Sequence, residues 1–258
     1  MAGPADTHID IGELRRLAVK FEARLGALKQ AADPSPSFWY PYGTLDNFTH
    51  LDGLLHGERR FLLELAGGEP IADVGAADGD LAFFLEQELG LAVSIIDHAP
   101  TNFNSLRGAR LLKERLSSSV EIHDIDLDQL HRLPQQRYGL VFFLGILYHL
   151  KNPYYALESF ARCARHLVLS TRVARFTPDK KTALRDLPLA YLLHETEANN
   201  DSTNYWIFSE AGLRRLFQRT GWEVLEFMTV GDTKRSDPAS STADERAVCL
   251  LRSRVVPL

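Results

Sequence analysis

From residue 70 onward, short apolar runs alternate along the chain with amphipathic segments. The apolar runs predict strands at residues 71–74, 92–96, 120–123, 140–144 and 166–171. The amphipathic segments predict helices at about residues 79–89, 102–116 and 153–163. Alternating strands and helices are typical of a parallel sheet with helices on both faces, so the pattern predicts an α/β fold.

The C-terminal part has a different pattern. It predicts a helix at residues 209–220, a strand at 223–230, a polar loop at 231–245 and a strand at 247–252. The sequence therefore predicts a mostly parallel seven-stranded sheet with an antiparallel C-terminal strand. We expect the polar loop to be mobile. Residues 175–204 form an insertion that we expect to act as a substrate lid.

The first 69 residues are expected to form a helical and aromatic N-terminal extension, followed by a catalytic domain at residues 70–258. Apolar residues spaced three or four apart predict a helix over residues 10–30, with a capping box of Asp10 and Glu13. The aromatic segment at residues 38–43, F-W-Y-P-Y-G, has two interpretations. It packs onto the core, or it closes over a reactive group with Tyr42 contacting the substrate.

Composition limits the possible partners. The chain has 258 residues, is 45% hydrophobic and carries a net charge of -5. An acidic chain has no general attraction for nucleic acid or anionic membrane, so we expect a small-molecule substrate and neither of those partners. The oligomeric state is not indicated. The N-terminus lacks a secretory pattern and the apolar runs are too short to span a membrane, so we expect a cytoplasmic protein.

Metal and redox sites are not expected. The cysteines Cys163 and Cys249 are far apart and lack the spacing of a metal or redox pair, so we expect buried, reduced thiols. No group of acids and histidines has metal-ligand spacing.

The segment 70–81, P-I-A-D-V-G-A-A-D-G-D-L, ends an apolar strand with Asp73 and then turns through glycines. A second acid, Asp97, ends the next predicted strand, as expected for a nucleoside cofactor whose ribose it binds. Nicotinamide enzymes use G-x-G-x-x-G, whereas Gly75 and Gly79 are spaced G-x-x-x-G, with Ala77 between them. Asp73 favours a cationic ligand over a pyrophosphate, which a carboxylate would repel.

The string D-V-G-A-A-D-G resembles motif I of the class I S-adenosylmethionine-dependent methyltransferases, usually D-x-G-x-G-x-G. The resemblance implies a Rossmann-like fold and S-adenosyl-L-methionine as the cofactor. Asp73 would lie near the cofactor's amino group, with Gly75 and Ala77 in the turn beneath it. After the third strand, Asp124 would accept from the adenine amino group, and the Ile125 N–H would donate to the ring.

A second string, L-G-I-L-Y-H-L-K-N-P from Leu144 onward, resembles the wobble-uridine tRNA carboxymethyltransferase family and its small-molecule relatives. The resemblance extends to N-Y-W-I-F-S and E-R-A-V. It implies that Leu144 contacts the cofactor and that Tyr148, Tyr205 and Arg246 lie by the substrate. That family places a lysine just before the aromatic segment to pair with the extra carboxylate of its donor. The corresponding stretch here, D-P-S-P-S-F, has none, so we expect ordinary S-adenosylmethionine.

Methyl transfer to a hydroxyl needs a base, and His149 is the candidate, with Tyr148 orienting the acceptor. Alternatively, His149 caps the following helix and Tyr148 only packs. The sequence therefore predicts an enzyme that methylates a small molecule, with oxygen as the expected acceptor. The alternatives are a tRNA-modifying (carboxy)methyltransferase, a non-catalytic cofactor-binding relative and a nicotinamide oxidoreductase.

Overall fold

The computed structural model describes residues 7–35 and 37–256, which form six α-helices and nine strands. The helices are α1 (Ile11–Ala32), α2 (Asn47–Leu54), α3 (Asp80–Leu89), α4 (Arg107–Leu116), α5 (Pro153–Ala161) and α6 (Glu210–Arg219). The strands are β1 (Ile71–Val74), β2 (Val93–Asp97), β3 (Glu121–Asp124), β4 (Tyr138–Leu144), β5 (Ala164–Val173), β6 (Ala190–Leu192), β7 (Trp206–Phe208), β8 (Trp222–Gly231) and β9 (Glu245–Ser253). Short 3₁₀ helices lie at Gly57–Arg60, Leu62–Ala66 and Leu147–His149.

The described chain divides into two compact units. The first contains the residues up to Asp126 together with His131–Phe142, and the second contains Leu127–Leu130 and the residues from Phe143 onward. Strand β4 begins in the first unit and ends in the second. The predicted division of the chain after residue 69 stays a prediction.

The first unit contains strands in the order β3-β2-β1-β4. Strand β1 is parallel to β2, and β2 is parallel to β3. Helices α3 and α4 follow β1 and β2 along the chain, as the alternating pattern predicts. In the β2–β3 register Asp97 lies opposite Asp124, so the two predicted cofactor acids end adjacent strands.

Helix α1 packs against α2, α3 and α4 within the first unit. Phe21 of α1 is 2% exposed, and its ring contacts the ring of Phe84 edge-to-face, with the centroids 5.6 Å apart. Phe48 of α2 meets the same Phe84 ring at 5.4 Å. These aromatic contacts join the N-terminal helices to α3, because edge-to-face rings bury a large apolar area.

The start of α1 differs from the predicted capping box. Asp10 caps the helix by accepting a hydrogen bond from the Gly12 N–H at 2.7 Å, and its carboxylate also pairs with Arg60. The Glu13 carboxylate, which the prediction directed back to Asp10, pairs with Arg16 one turn later. The arginines displace the reciprocal bond because a charged pair outcompetes a neutral N–H donor.

The second unit is organised around β5. Strand β5 is parallel to β7 and antiparallel to β9, while β9 is antiparallel to β8. The predicted α/β class, with an antiparallel C-terminal strand, is confirmed. The structure adds β6 and β7, which the sequence did not predict. Each has three residues, too few for a period-two pattern to identify.

The insertion at residues 175–204 and the polar loop at 231–245 are packed together in the second unit. The Ser236 carbonyl accepts hydrogen bonds from the N–H groups of Arg175 and Phe176 at 3.2 and 3.0 Å. Lys180 pairs with Asp237, which is 5% exposed. The loop at residues 231–245, which was expected to be mobile, is therefore fixed by hydrogen bonds and an ion pair with the insertion. Among the described residues, no helix is long and apolar enough to cross a membrane.

We expect Phe21→Ala to destabilise the protein by roughly 3 to 5 kcal/mol, because it removes a buried ring and leaves a cavity between α1 and α3. The matched control is Val19→Ala on the same helix, since Val19 is 61% exposed. Chemical denaturation gives both free energies of unfolding. Equal values for the two variants would show that α1 is not packed as described.

Candidate functional site

The turn between β1 and α3 has a left-handed backbone at three positions. The φ angles are +68° at Gly75, +54° at Ala77 and +83° at Gly79. A Cβ atom on Gly79 would lie 2.6 Å from Ile95 Cδ1, so neither the backbone nor the space admits a side chain there. Ala77 adopts the conformation that glycine would have at this place, at a steric cost. The departure from the usual motif therefore keeps the shape of the turn.

Asp97 at the end of β2 holds this turn in place. Its carboxylate accepts hydrogen bonds from the Ala77 N–H at 3.1 Å, the His98 N–H at 2.7 Å and Asn102 Nδ2 at 3.0 Å. Burial raises the pKa of Asp97, and these donors oppose the rise. Its contact with a ribose stays a prediction, but its link to the glycine turn is now observed.

Asp124 and Ile125 follow β3. Asp124 accepts a hydrogen bond from the Ala99 N–H at 2.9 Å. The Ile125 N–H donates to the Asp97 carbonyl at 2.8 Å, so it is already in use and is not available to an adenine ring. The predicted donor role of this N–H is therefore corrected, and any contact of Ile125 with the cofactor would come from its side chain.

Asp73 in β1 is a buried acid with an unsatisfied oxygen. The residue is 4% exposed, and within the described chain Oδ2 has no hydrogen-bond partner. Burial raises the pKa of Asp73 to about 8, opposed by the Ala82 N–H. A carboxyl group with an unused oxygen fits a ligand that carries an ammonium group, such as the amino acid part of S-adenosylmethionine.

Lys29 of α1 contacts this turn, and the sequence analysis missed its role. Its ammonium bonds to Asp80 at 2.8 Å and to Asp78 at 3.2 Å, and it lies 5.5 Å from the centre of the Trp39 ring. Burial raises the pKa of Asp80, and Lys29 opposes the rise. The sequence did contain a signal for such a residue. Two acids flank Gly79 in a turn that is buried, and buried carboxylates need a cationic partner.

The aromatic segment contains one residue that packs on the core and one that is exposed. Trp39 is 9% exposed and its Nε1 donates to the Asp33 carbonyl at 2.9 Å, so it packs on the first unit. Tyr42 is 69% exposed and meets only the edge of the Tyr40 ring among the ring contacts described, with centroids 5.4 Å apart. The predicted contact of Tyr42 with a substrate stays a prediction.

In the second unit, Tyr148 and Arg246 lie side by side. The guanidinium of Arg246 is 5.7 Å from the centre of the Tyr148 ring. The Tyr148 hydroxyl and Arg246 Nη1 each lie 3.9 Å from where a Cβ on Gly145 would stand, one residue after Leu144. The structure therefore brings together two residues that are far apart in sequence and that were predicted to lie by the substrate.

Arg246 is held by Asp244, two residues earlier in the chain, and by Tyr148. Burial alone lowers its pKa, but Tyr148 and Asp244 raise the pKa above its usual value overall. The Asp244 carboxylate lies 3.2 Å from Arg246 and 2.6 Å from Arg172. Arg172 and Arg246 are opposite each other in the β5–β9 ladder, so one carboxylate spans two arginines. The sequence analysis missed Asp244 and Arg172, because their contacts depend on the strand register.

His149 is bound through one ring nitrogen. Its Nδ1 lies 3.1 Å from the Thr203 carbonyl oxygen and 3.0 Å from Thr203 Oγ1. Burial lowers the pKa of His149, and Arg246 adds to this, whereas Asp201 and the Thr203 backbone oppose it. The alternative in which His149 caps the following helix is wrong, since its ring bonds to the insertion and no side chain caps α5.

The last predicted substrate residue, Tyr205, is half-buried beside the same segment. Its N–H donates to the Tyr148 carbonyl at 2.8 Å, and Lys151 Nζ lies 5.6 Å from the centre of its ring. Tyr148 itself packs with Leu184, Leu193 and Ala198 of the insertion and with Ala174, which precedes the insertion. The insertion therefore covers Tyr148, while the contact of Tyr205 with a substrate stays a prediction.

Comparison with known proteins identifies the fold. A family model described as a methyltransferase domain matches residues 49–226, which is more than half of the chain. The N-terminal domain of EvdMO1, solved with SAH and D-fucose, is 19% identical with a TM-score of 0.55, covering 96% of this chain and 99% of that domain. No match is found among curated proteins.

Two further solved structures have the same fold. The 4+2 cyclase SpnF is 14% identical with a TM-score of 0.56, covering 99% of this chain and 98% of its own. BH2331 from Bacillus halodurans C-125 is 16% identical with a TM-score of 0.52, covering 74% of this chain and 96% of its own. The structural similarity supports the Rossmann-like fold predicted from the sequence. Because the identities are low, the function must be argued from the residues of the site.

We expect Asp73 to make the cofactor-free protein less stable as pH rises. The pKa of Asp73 is about 8 in the folded protein and 3.8 in the unfolded chain. The stability that Asp73 contributes is therefore fully present below about pH 4 and is lost progressively up to about pH 8. The total loss is roughly 6 kcal/mol. Asp73→Asn does not titrate, so its free energy of unfolding relative to wild type should rise across this range.

Urea denaturation between pH 4 and 8 tests this expectation. The control is Glu114→Gln, which changes an exposed acid on α4 and should differ from wild type by a constant amount. A constant difference for Asp73→Asn as well would show that Asp73 is ionised in the folded protein.

Proposed function

Because the chain belongs to the methyltransferase-domain family and uses S-adenosylmethionine as its cofactor, we propose that it methylates a hydroxyl oxygen of a small molecule. The observation that carries the proposal is His149, a partly buried imidazole that is bound through Nδ1 and whose pKa burial lowers. Its other nitrogen, Nε2, keeps a lone pair that can accept the hydroxyl proton. A base is needed for an oxygen acceptor, because a neutral hydroxyl is a poor nucleophile.

The residues of the first unit have the chemistry to bind the cofactor. Asp97 would accept from the ribose hydroxyls and Asp73 would bind the ammonium group through its unused oxygen. Gly75 and Ala77 would let the backbone approach the ligand closely. The bound cofactor supplies an electrophilic methyl group on a sulfonium, which is already a good leaving group.

The acceptor would be recognised by residues of the second unit. Tyr148 offers a hydroxyl and Arg246 a cationic group directly beside it, and we assign both to binding the substrate. Tyr205 of the same unit is a further proposed contact, and the proposed contact of Tyr42, which belongs to the first unit, is kept as well. The EvdMO1 domain was crystallised with D-fucose, a sugar rich in hydroxyl groups, which supports including sugars among the acceptors to be assayed.

An ordinary methyl donor suits this chain better than a carboxylated one. A lysine does reach the aromatic segment, but the Lys29 ammonium is already paired with Asp78 and Asp80. It is therefore not free to bind an additional carboxylate of the donor. Together with the net charge of -5, this favours a small molecule over tRNA as the substrate. A cytoplasmic location and the absence of nucleic-acid and membrane partners stay predictions.

We expect S-adenosylhomocysteine to bind one site per chain, and Asp97→Ala to weaken this binding by roughly 2 to 4 kcal/mol through lost charge-assisted hydrogen bonds. This corresponds to an affinity loss of about thirty- to thousandfold. Calorimetry measures it, with Glu114→Ala as the control and circular dichroism to verify folding. An unchanged dissociation constant would remove Asp97 from the cofactor site, and absent binding to wild type would overturn the proposal.

For catalysis, we expect His149→Ala to lower turnover about a hundredfold or more while leaving the dissociation constant of S-adenosylhomocysteine unchanged. In wild type, turnover should fall as pH drops through the lowered pKa of His149, since protonated Nε2 cannot act as a base. The assay follows S-adenosylhomocysteine formation with a panel of sugars, phenols and alcohols. Bound cofactor without turnover on any acceptor would favour a non-catalytic role, and full turnover in His149→Ala would exclude His149 from the mechanism.

A further inference from the structure

The hydrogen bonds of His149 determine which ring nitrogen carries the proton. A backbone carbonyl can only accept, so the 3.1 Å contact with the Thr203 carbonyl makes Nδ1 the donor. In the neutral ring the lone pair is then on Nε2. The structure therefore selects the tautomer that a base at Nε2 requires, with both contacts coming from one residue of the insertion.

A partly buried hydrogen bond continues from Thr203 to Asp201. The Thr203 hydroxyl donates to Asp201 Oδ1 at 2.6 Å, and it has only one proton to give. In its 3.0 Å contact with His149 Nδ1 it must therefore be the acceptor. The three side chains form a directed chain of hydrogen bonds, from the imidazole through the hydroxyl to the carboxylate.

We propose that Asp201, acting through the Thr203 hydroxyl, is a positioning residue that orients His149 and stabilises its protonated ring during catalysis. This inference rests on the proposed methyl transfer to oxygen. In that step the acceptor O–H bond breaks and its proton goes to His149 Nε2. The oxygen electron pair forms the bond to the methyl carbon, and the electrons of the broken carbon–sulfur bond stay on sulfur. The imidazolium then returns its proton to water.

The charges around His149 show why this support matters. Burial and the Arg246 guanidinium both lower the pKa of the imidazole, so both disfavour the imidazolium that the reaction forms. The Tyr148 ring, whose centroid lies 4.2 Å from that of His149, is the titratable neighbour on the same segment. Asp201 is the anion that favours the protonated ring. Without it, proton transfer to Nε2 would be less favourable.

A purely structural role of Asp201 must be separated from this one, because its Oδ1 also accepts from the Thr203 N–H at 2.9 Å. Asp201→Asn keeps an oxygen acceptor for the turn and removes the charge. Thr203→Val removes the hydroxyl but keeps the carbonyl contact with His149, and Thr203→Ser restores the hydroxyl. The three variants therefore separate the effects of the Asp201 charge, the Thr203 hydroxyl and the Thr203 carbonyl on His149.

The chain contains a matched control pair. Thr177 Oγ1 donates to Asp179 Oδ1 at 2.6 Å, and Asp179 also accepts from the Lys181 N–H at 3.1 Å. The same two kinds of donor reach one carboxylate oxygen in the same insertion, although here the threonine precedes the aspartate, and no histidine contact of this pair is described. Asp179→Asn and Thr177→Val therefore report what the loss of such a turn contact does by itself.

The first measurement is an NMR titration of His149 in the cofactor-free protein, with its signals assigned by comparison with His149→Ala. We expect Asp201→Asn and Thr203→Val to lower the pKa of His149, and Thr203→Ser and both controls to leave it at the wild-type value. The second measurement is the pH dependence of kcat. In Asp201→Asn and Thr203→Val, kcat should fall about tenfold or more, with KM and cofactor affinity unchanged.

The outcomes separate this inference from the proposed function. A lowered His149 pKa in both variants supports the hydrogen-bond chain even if no acceptor is methylated, in which case the proposed function is what fails. A His149 pKa that is unchanged in Asp201→Asn and Thr203→Val overturns the inference, whatever the activity. The inference is also overturned if Asp179→Asn and Thr177→Val lower kcat as much as Asp201→Asn and Thr203→Val do. The loss would then come from breaking a turn contact and not from the effect on His149.

Discussion

The pairing of the Lys29 ammonium with Asp78 and Asp80 is the contact on which the cofactor turn depends. Gly79 between the two acids admits no side chain, so the turn is close-packed and both carboxylates are excluded from water. Buried carboxylates without a cation nearby are costly to keep ionised. By supplying that cation, α1 stabilises the turn electrostatically and, through Trp39, joins it to the aromatic segment.

The same reasoning explains why Asp73 differs from its neighbours. It lies in β1, just before the turn, and is as buried as Asp78 and Asp80, yet no lysine or arginine of the described chain is paired with its carboxylate in the way that Lys29 is paired with Asp80. Its proton therefore stays on at neutral pH, and a bound ammonium group would supply the missing charge. The strand and turn together thus contain acids whose charge Lys29 balances and one acid, Asp73, whose charge a ligand could balance.

In the second unit, polar contacts rather than apolar packing determine the chemistry. Arg246 is fixed by Asp244 and lies beside Tyr148, while His149 is fixed by Thr203 of the insertion. The insertion therefore does more than cover the segment, since it sets the tautomer of the proposed base. The structural resemblance to a cyclase as well as to methyltransferases shows why such contacts, and not the fold, must carry the functional argument.

The sequence by itself determined the α/β pattern, the seven longer strands and the glycine turn with Asp73 and Asp97, because periodicity and turn chemistry are local properties. It predicted the cofactor class from the same local string. Only the tertiary structure decided the partners of Lys29, the neighbours of Arg246 and the bonds of His149 to Thr203. Apart from the contact of Arg246 with Asp244, those contacts join residues tens of positions apart, and their existence depends on register, burial and the path of the insertion, none of which a linear pattern encodes.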